Sequence, residues 1–400
     1  MPICTVRVCT VRATAAAGAC AALLLASGTP AAQAARVAQA AQAGLVAQAA
    51  QTARASVPGW RIVSTDHRAG IDLELAVAAI GRRNAWAGGG VSPSHTSQGR
   101  PFAEHWNGRR WRTSRLPGRL SGAITLLRTS AWNNVWAFGG KPSQPGAFAL
   151  RWNGHRWLVK KRWPGLSAPQ GAVVFGPANV WVFNGGNTGS PVQHYNGHRW
   201  QSVHTGVAIQ IVESATALPD GDVWALVDAG GIGILEGTKS GTGYTWSLTL
   251  LPQFTIGHGG EQLTTLCALT SSSVWALGGD VRTVHGHDHW FPLAAHWDGA
   301  SWRKVKVSGN FTLGRGTCAS DGRGGLWVTT GWDSTGIPPH LLRFAGGRFT
   351  RASLPPRGGR YVGVFGLAAI PGTVGAWGAG ALTGLGATGP TTGVILKHGR

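Results

Sequence analysis

Charge is the scarcest commodity in this sequence: Asp, Glu, Lys and Arg make up only 13% of 400 residues, with 15 acidic against 36 basic side chains. With 43% hydrophobic residues the chain has ample material for a core, which excludes global disorder. Cysteine is also rare, and beyond Cys20 only Cys267 and Cys318 remain, so this is no disulfide-dense scaffold. After the N-terminal leader no apolar run reaches the roughly 20 residues that a bilayer-spanning helix needs. A Gly-Lys phosphate loop, a Gly-x-Ser-x-Gly elbow and a Cys-x-x-Cys metal pair are all missing, so the common signatures of NTPases, hydrolases and zinc ribbons are excluded. Helical periodicity is absent as well, which removes the helical repeat folds.

What is present starts with a leader. A basic beginning (Arg7, Arg12) passes through the apolar run Ala13–Ala26, with Leu23, Leu24 and Leu25, to Ala32-Gln33-Ala34. Residues 1–34 read as a signal peptide with an A-x-A cleavage site, so the chain is expected to be secreted and extracellular. Residues 35–57 form an Ala/Gln tract with high helix propensity and no apolar stripe, expected to be a solvated linker. The formal charge is +21, and of the basic residues only Arg7 and Arg12 leave with the leader. Such a field favours anionic partners without choosing among cell-wall polymers, acidic glycans, nucleic acids and anionic membranes, and for an exported chain a cell-wall glycan or other anionic polymer is the expected one. Nucleic acid is not an expected partner, and the chain is expected to be a monomer.

From Trp86 onward the sequence repeats. Ala85-Trp86-Ala87, Val135-Trp136-Ala137, Val180-Trp181-Val182, Val223-Trp224-Ala225, Val274-Trp275-Ala276, Leu326-Trp327-Val328 and Ala376-Trp377-Gly378 stand roughly 43 to 52 residues apart, the period of a propeller blade. The second unit shows four strands: A at Ala123-Ile124-Thr125-Leu126-Leu127, B at Val135-Trp136-Ala137-Phe138, C at Phe148 to Trp152, and D at Arg156 to Val159. Their aromatic and branched residues lie between Gly, Pro, Asn and Ser clusters, as in strands. Asn153-Gly154 between C and D can take the positive φ of a tight hairpin. The hairpin recurs at Trp106-Asn107-Gly108, Tyr195-Asn196-Gly197 and Trp297-Asp298-Gly299, in weaker form at Phe344-Ala345-Gly346, and drifts to Gly243-Tyr244-Thr245-Trp246 in the fourth unit.

The last unit ends after its C strand, at Val394-Ile395-Leu396, while Trp60-Arg61-Ile62-Val63 before the first unit has the form of an orphan D strand. The expected fold is therefore all-β: residues 58–400 form a seven-bladed β-propeller, four antiparallel strands per blade, the last blade completed by residues 58–65. Aromatic residues at fixed places in each blade are expected to be packing wedges. His105, Arg151, His194, His296 and Arg343, each directly before the hairpin aromatic, are expected to fill a structural slot.

Strand B ending in Gly-Gly (Gly139-Gly140, Gly185-Gly186, Gly278-Gly279), then an aromatic before a hairpin, then Trp, resembles the kelch and galactose-oxidase-like propellers. The Trp-Asn-Gly-x-x-Trp spacing is closer to that of exported bacterial propellers of unassigned activity, and Asp321-Gly322-Arg323-Gly324-Gly325-Leu326-Trp327 resembles the turn of sensor-type propeller repeats. The resemblance implies that B-to-C and D-to-A loops share a ligand-binding face. It implies no oxidase, because the three tyrosines are Tyr195 and Tyr244 in hairpins and Tyr361. Trp60-Arg61-Ile62-Val63 matches a sialidase arginine strand only superficially.

On that face one sector combines His, carboxylates and an aromatic: His258 and Glu261 leading into blade five, Asp280 after its B strand, and Trp332 and Asp333 in blade six. These are the expected ligand contacts. In the same loop His285, His287, Asp288 and His289 carry donors suited to Zn²⁺, Cu²⁺ or Ni²⁺. Alternate positions on an extended strand share a face without converging on one ion, so a solvated His-rich loop without a metal cofactor is expected, with a divalent metal site as the alternative. Cys267 and Cys318, on the A strands of adjacent blades, are expected to form a disulfide. The leading functional expectation is a non-catalytic binding propeller for glycans or anionic envelope polymers. The alternatives are a carbohydrate-acting or metal-dependent enzyme with its site on blades five and six, and a protein-interaction scaffold.

Overall fold

The computed structural model describes residues 59–400 except 67, 69–70, 93–98, 142–143, 185–190, 255–260, 286, 310, 332–339, 356–357, 385–390 and 400. The expected signal peptide and linker, and with them His258, Trp332 and Asp333, lie outside the described residues. Within these, the chain forms 28 strands and no helix, arranged as seven four-stranded antiparallel sheets. The protein is a seven-bladed β-propeller. No helix of the described residues is long and apolar enough to cross a membrane.

In each blade strand A lies innermost, against the A strands of its neighbours, and strand B behind it is the most buried. Asn134–Gly140, the B strand of blade two, is buried at every position, as expected of a strand covered on both faces. Strand D is outermost and reaches solvent, as in Trp111–Ser114 and Trp302–Val305, each with its two middle residues exposed.

Each B-strand Trp is gripped by the two aromatic positions of the following blade's C-to-D hairpin. Trp86 packs on Trp152 and Trp157, Trp136 on Tyr195 and Trp200, and Trp181 on Tyr244 and Trp246. Trp224 packs on Trp297 and Trp302, Trp275 on Phe344 and Phe349, and Trp377 on Trp106 and Trp111. Ring centroids lie between 4.5 and 6.5 Å apart, mostly tilted or edge-to-face, the geometry that the ring quadrupoles favour. The sequence drift in blade four leaves this grip intact.

The seventh grip closes the ring. Trp327 of blade six meets Trp60 at 5.3 Å and His398 at 4.8 Å, so the N-terminal strand supplies the D-strand Trp that the last blade's own sequence lacks. That strand, Arg61–Thr65, pairs antiparallel with Thr392–His398, with Arg61 opposite Lys397 and Thr65 opposite Val394. The sheet edge that blade seven would otherwise expose is thereby covered.

The residue facing each B-strand Trp from strand C is titratable in all seven blades: His105, Arg151, His194, Glu236, His296, Arg343 and Lys397. His105, His194 and His296 lie against Trp86, Trp181 and Trp275 at 4.5, 4.2 and 4.4 Å. Their Nε2 atoms meet Asn84 Oδ1, Asn179 Oδ1 and Ser273 Oγ at 2.9, 2.9 and 3.0 Å. Burial pushes all three imidazoles below their usual pKa, against a weaker opposing pull from Asp298 at His296.

Around the axis, strand A of blades one, two, four, five and seven carries a bulge at the same place, between the partners of the second and third residues after the B-strand Trp. In two of these blades the first Gly of Gly-Gly stands opposite it. A Cβ at Gly139 would come 2.0 Å from Ala123 O, and one at Gly278 1.8 Å from Gln262 O, so no side chain fits. The Gly-Gly signature is thus a steric imprint of the bulge.

Side chains also lace adjacent A strands together. Arg128 Nε donates to Ala172 O at 2.9 Å, Leu266 N–H to Ser214 Oγ at 3.2 Å and Leu367 N–H to Thr317 Oγ1 at 2.6 Å. Between blades five and six the lacing is covalent: Cys267 and Cys318 form a disulfide with Cα atoms 6.1 Å apart, inside the range that a disulfide spans without backbone distortion.

Candidate functional site

Three places in this architecture offer polar chemistry to a ligand: the blade-five hairpin, the axial channel, and a cleft between blades six and seven.

At blade five, the segment expected as an irregular His-rich loop is a regular extension of strands B and C, Ser273–Val284 and His287–Trp297. Pairing continues from Asp280 with Phe291 to Val284 with His287, with His285 in a turn after Val284. Val281, Thr283 and Val284 are β-branched and favour strand, and His285 takes the positive φ of 50° that such a turn requires. His285 and His289 are exposed, and only the backbone of His287 and Asp288 is described. His289 stands across the ladder from Arg282, a cation that opposes binding of another. Among the described residues no three His, Cys, Asp or Glu side chains gather in a metal-holding group.

The two described carboxylates of the expected sector are already engaged. Asp280 is fully buried and one oxygen is paired with the Arg282 Nε, while Oδ1 has no hydrogen-bond partner. Glu261 is bonded to Lys304 Nζ at 3.4 Å. Their identity suggested ligand contact, but a carboxylate after a B strand can equally anchor the strand's own extension.

The channel, of about 710 Å³, is lined by the A strands of blades two to seven. Its wall is mostly hydroxyl, amide and small apolar groups, with Thr125, Glu213 and Thr264 at the bulges. Burial pushes the Arg128 guanidinium down to about 10, still charged at neutral pH, and two backbone carbonyls hold it. Several of its polar groups, Arg128, Ser214, Thr265 and Thr317 among them, lace one blade to the next.

The cleft, about 610 Å³, is of ligand-binding size. It lies between the end of strand D of blade six, Arg348–Arg351, and the start of strand A of blade seven, Tyr361–Ala369. Its floor comes from Ala352 and Leu354, which join the apolar core between the two blades. Arg351, Arg360, His340, Tyr361 and Ser353 supply its polar side chains, and no carboxylate stands among its described lining residues. Arg360 is oriented by hydrogen bonds to Leu382 O at 2.8 Å and Thr392 Oγ1 at 3.3 Å, and Arg351 and Tyr361 are exposed. Chain reversal places His340, which leaves the blade-six B-to-C loop, beside residues Arg351 to Val362 that follow it in the chain. None of these polar residues carries a motif, and the one available signal was the clustering of Arg in the D-to-A connection.

Fold and cleft together define the class: a β-propeller with a cationic pocket between two blades. No protein family matches the chain, and no curated protein matches it in sequence. Solved propellers are similar in shape. YCF48 bound to D1 peptide matches at 13% identity and TM-score 0.51 over 86% of this chain and 100% of its own. YCF48 from Cyanidioschyzon merolae matches at 12% identity and TM-score 0.50 over 85% of this chain and 98% of its own. The extracellular domain of the one-component system BT4673 from B. thetaiotaomicron matches at 11% identity and TM-score 0.54 over 84% of this chain and 40% of its own. At these identities the likeness is one of fold.

Proposed function

We propose that this protein is an exported, non-catalytic binding propeller for an anionic glycan or similar envelope polymer, one charged unit of which seats between blades six and seven. The observation that carries the reading is the make-up of the cleft, which gathers two guanidinium groups, an imidazole, a phenol and the Ser353 hydroxyl. Arg recognises carboxylate and phosphate groups through paired N–H donors, and Tyr361 offers both a ring face and a hydroxyl. With Arg7 and Arg12 removed in the leader, the full chain's formal +21 becomes about +19, which draws such ligands toward the surface. Export rests on the leader at residues 1–34, and the extracellular propeller of BT4673 shares the fold.

The test is calorimetric titration of the mature protein with short acidic and neutral oligosaccharides, without and with Arg351→Ala. Arg351 is exposed and holds no blade together, so its loss should leave the fold intact. Binding of the acidic ligand is expected to weaken several-fold in the variant and to fall with salt. Equal binding of neutral and acidic ligands, or no effect of the substitution, would refute the assignment.

A further inference from the structure

The opposite face of the propeller carries the A-to-B turns and C-to-D hairpins, which pack on one another within each blade. Trp106 Nε1 donates to Arg82 O at 3.2 Å, Trp297 Nε1 to Ser271 O at 3.2 Å, and the Tyr244 hydroxyl to Gly221 O at 3.0 Å. In the Asn-Gly hairpins one side-chain oxygen accepts two backbone N–H groups and so fixes the turn. Asn107 Oδ1 takes those of Arg109 and Arg110 at 3.0 and 3.1 Å, and Asn196 Oδ1 those of His198 and Arg199, both at 3.0 Å. The two residues held this way in each hairpin are exposed, and they are cationic or titratable.

Positive charge is not spread evenly over this face. Blade one presents Arg82, Arg83, Arg109 and Arg110, all exposed. The sector continues with exposed Arg156 and Arg199 on blades two and three in one direction, and with Arg61 and Arg323 on blades seven and six in the other. The described carboxylates of the turns and hairpins lie elsewhere, with Asp220 and Asp222 on blade four and Asp298 on blade five. The exception, Asp321 of blade six, is buried and consumed: Arg343 Nη2 donates to it at 2.7 Å, and the N–H groups of Arg323 and Gly325 donate to it at 2.8 Å each.

Where blades seven and one meet, cations of both blades act on a third, Lys397. Burial pushes the Lys397 ammonium below its usual range, and the charges of Arg61 and Arg82, from two different blades, push the same way. Among the cations stands Trp132, 57% exposed in the A-to-B turn of blade two, its ring 3.0 Å from where a Cβ on Gly154 of the hairpin would lie. An exposed aromatic ring on the same face as these guanidinium groups suits a sugar ring that carries negative charge.

We infer that the turn-and-hairpin face, from blade six round to blade three, docks a run of consecutive units of a linear acidic polysaccharide. This rests on the anionic-polymer reading above and adds a second surface to it. The cleft takes one charged unit, the arc takes the length of a chain, and Trp132 provides the stacking platform. Charge complementarity along an arc selects for length: affinity should rise with the number of charged units and fall steeply with salt.

The experiment uses polygalacturonate, monomeric galacturonate and a DNA duplex as probes on the mature protein, at low and at about 150 mM salt. A variant with R82A, R83A, R109A and R110A is expected to bind the polymer at least roughly tenfold more weakly at low salt, with melting unchanged, and still to bind galacturonate as the wild type does. Trp132→Ala is expected to weaken polymer binding roughly threefold or more, since a stacking contact is lost. If the fourfold variant folds poorly, R156A with R199A, on other blades, makes the same test. Unchanged polymer affinity in folded hairpin-face variants overturns the inference, as does tighter binding of DNA than of polygalacturonate. The cleft variant R351A separates the two readings. If it alone loses binding, the cleft stands and the arc falls, and if only the hairpin variants lose binding, the arc stands and the cleft falls.

Discussion

Replacing Cys267 and Cys318 by Ala should lower the melting temperature by an amount that can be worked out. The disulfide closes a loop of 51 residues between the innermost strands of blades five and six. In the chain-entropy description, closing a loop of that length removes about 14 cal/mol/K from the unfolded chain, or about 4 kcal/mol at 25 °C. Unfolding a propeller of about 340 residues carries an entropy of about 0.7 kcal/mol/K, so the loss corresponds to about 6 °C. Cys267 is buried among Trp275, Leu277 and Leu313, so Ala adds a small packing loss on top. Reducing the wild type under native conditions separates the two effects, since reduction opens the loop but leaves both sulfur atoms in place. Calorimetry of oxidised, reduced and double-Ala protein is the assay. If thiol titration finds both cysteines free in protein recovered from the medium, or if reduction shifts the melting point by less than about 1 °C, the loop-closure reasoning is wrong.

Other outcomes follow from the same structure. Trp60→Ala removes the D-strand wedge that closes the ring and is expected to cost about 3–5 kcal/mol by denaturant titration; deletion of residues 58–65 should unfold the ring, and unchanged melting would contradict the closure. Gly278→Ala places a Cβ 1.8 Å from a backbone carbonyl and is expected to destabilise far more than Ala at exposed Gly346, as thermal melts of the two would show. Acid should weaken the fold through His105, His194 and His296. Their folded pKa values lie below the ordinary 6.5, so the native state binds fewer protons than the unfolded one, and stability is full above pH 6.5 and lost as pH falls through that value toward the folded pKa values. Melting curves from pH 8 to 5 check this, and the slope should flatten when the three are replaced by Gln. Finally, N-terminal sequencing of protein recovered from the medium is expected to begin just after Ala34.

The count of blades and the closure of the ring were legible because they depend on residues that recur: the B-strand Trp and the hairpin aromatics repeat at one period, and Trp60 has the same form as the D-strand aromatics. The titratable position opposite each Trp was visible at five of its seven places; Glu236 and Lys397 escaped because neither directly precedes a Trp, Tyr or Phe hairpin residue. The candidate site was far less legible. His285 to His289 stood out by composition, yet β-branched neighbours draw that segment into a ladder, where composition says nothing about convergence. Asp280 looked available and is buried, with one oxygen paired to the exposed Arg282. His340, Arg351, Arg360 and Tyr361 gather only because a connection crosses between two blades, and no local pattern announces a meeting of that kind.

The relay of tryptophans has a bearing on how such a chain can evolve. Since each blade's central indole is enclosed by side chains that belong to the next, a blade cut from the ring would carry a bare Trp on one flank and an empty aromatic clamp on the other. Gain or loss of a repeat therefore succeeds only when the new neighbours fit each other across the junction and the ring still closes. The count of seven is in this sense an inherited agreement among neighbours, and the first and last described strands, which meet in blade seven through Trp60 and His398, are where that agreement is open to renegotiation by circular permutation.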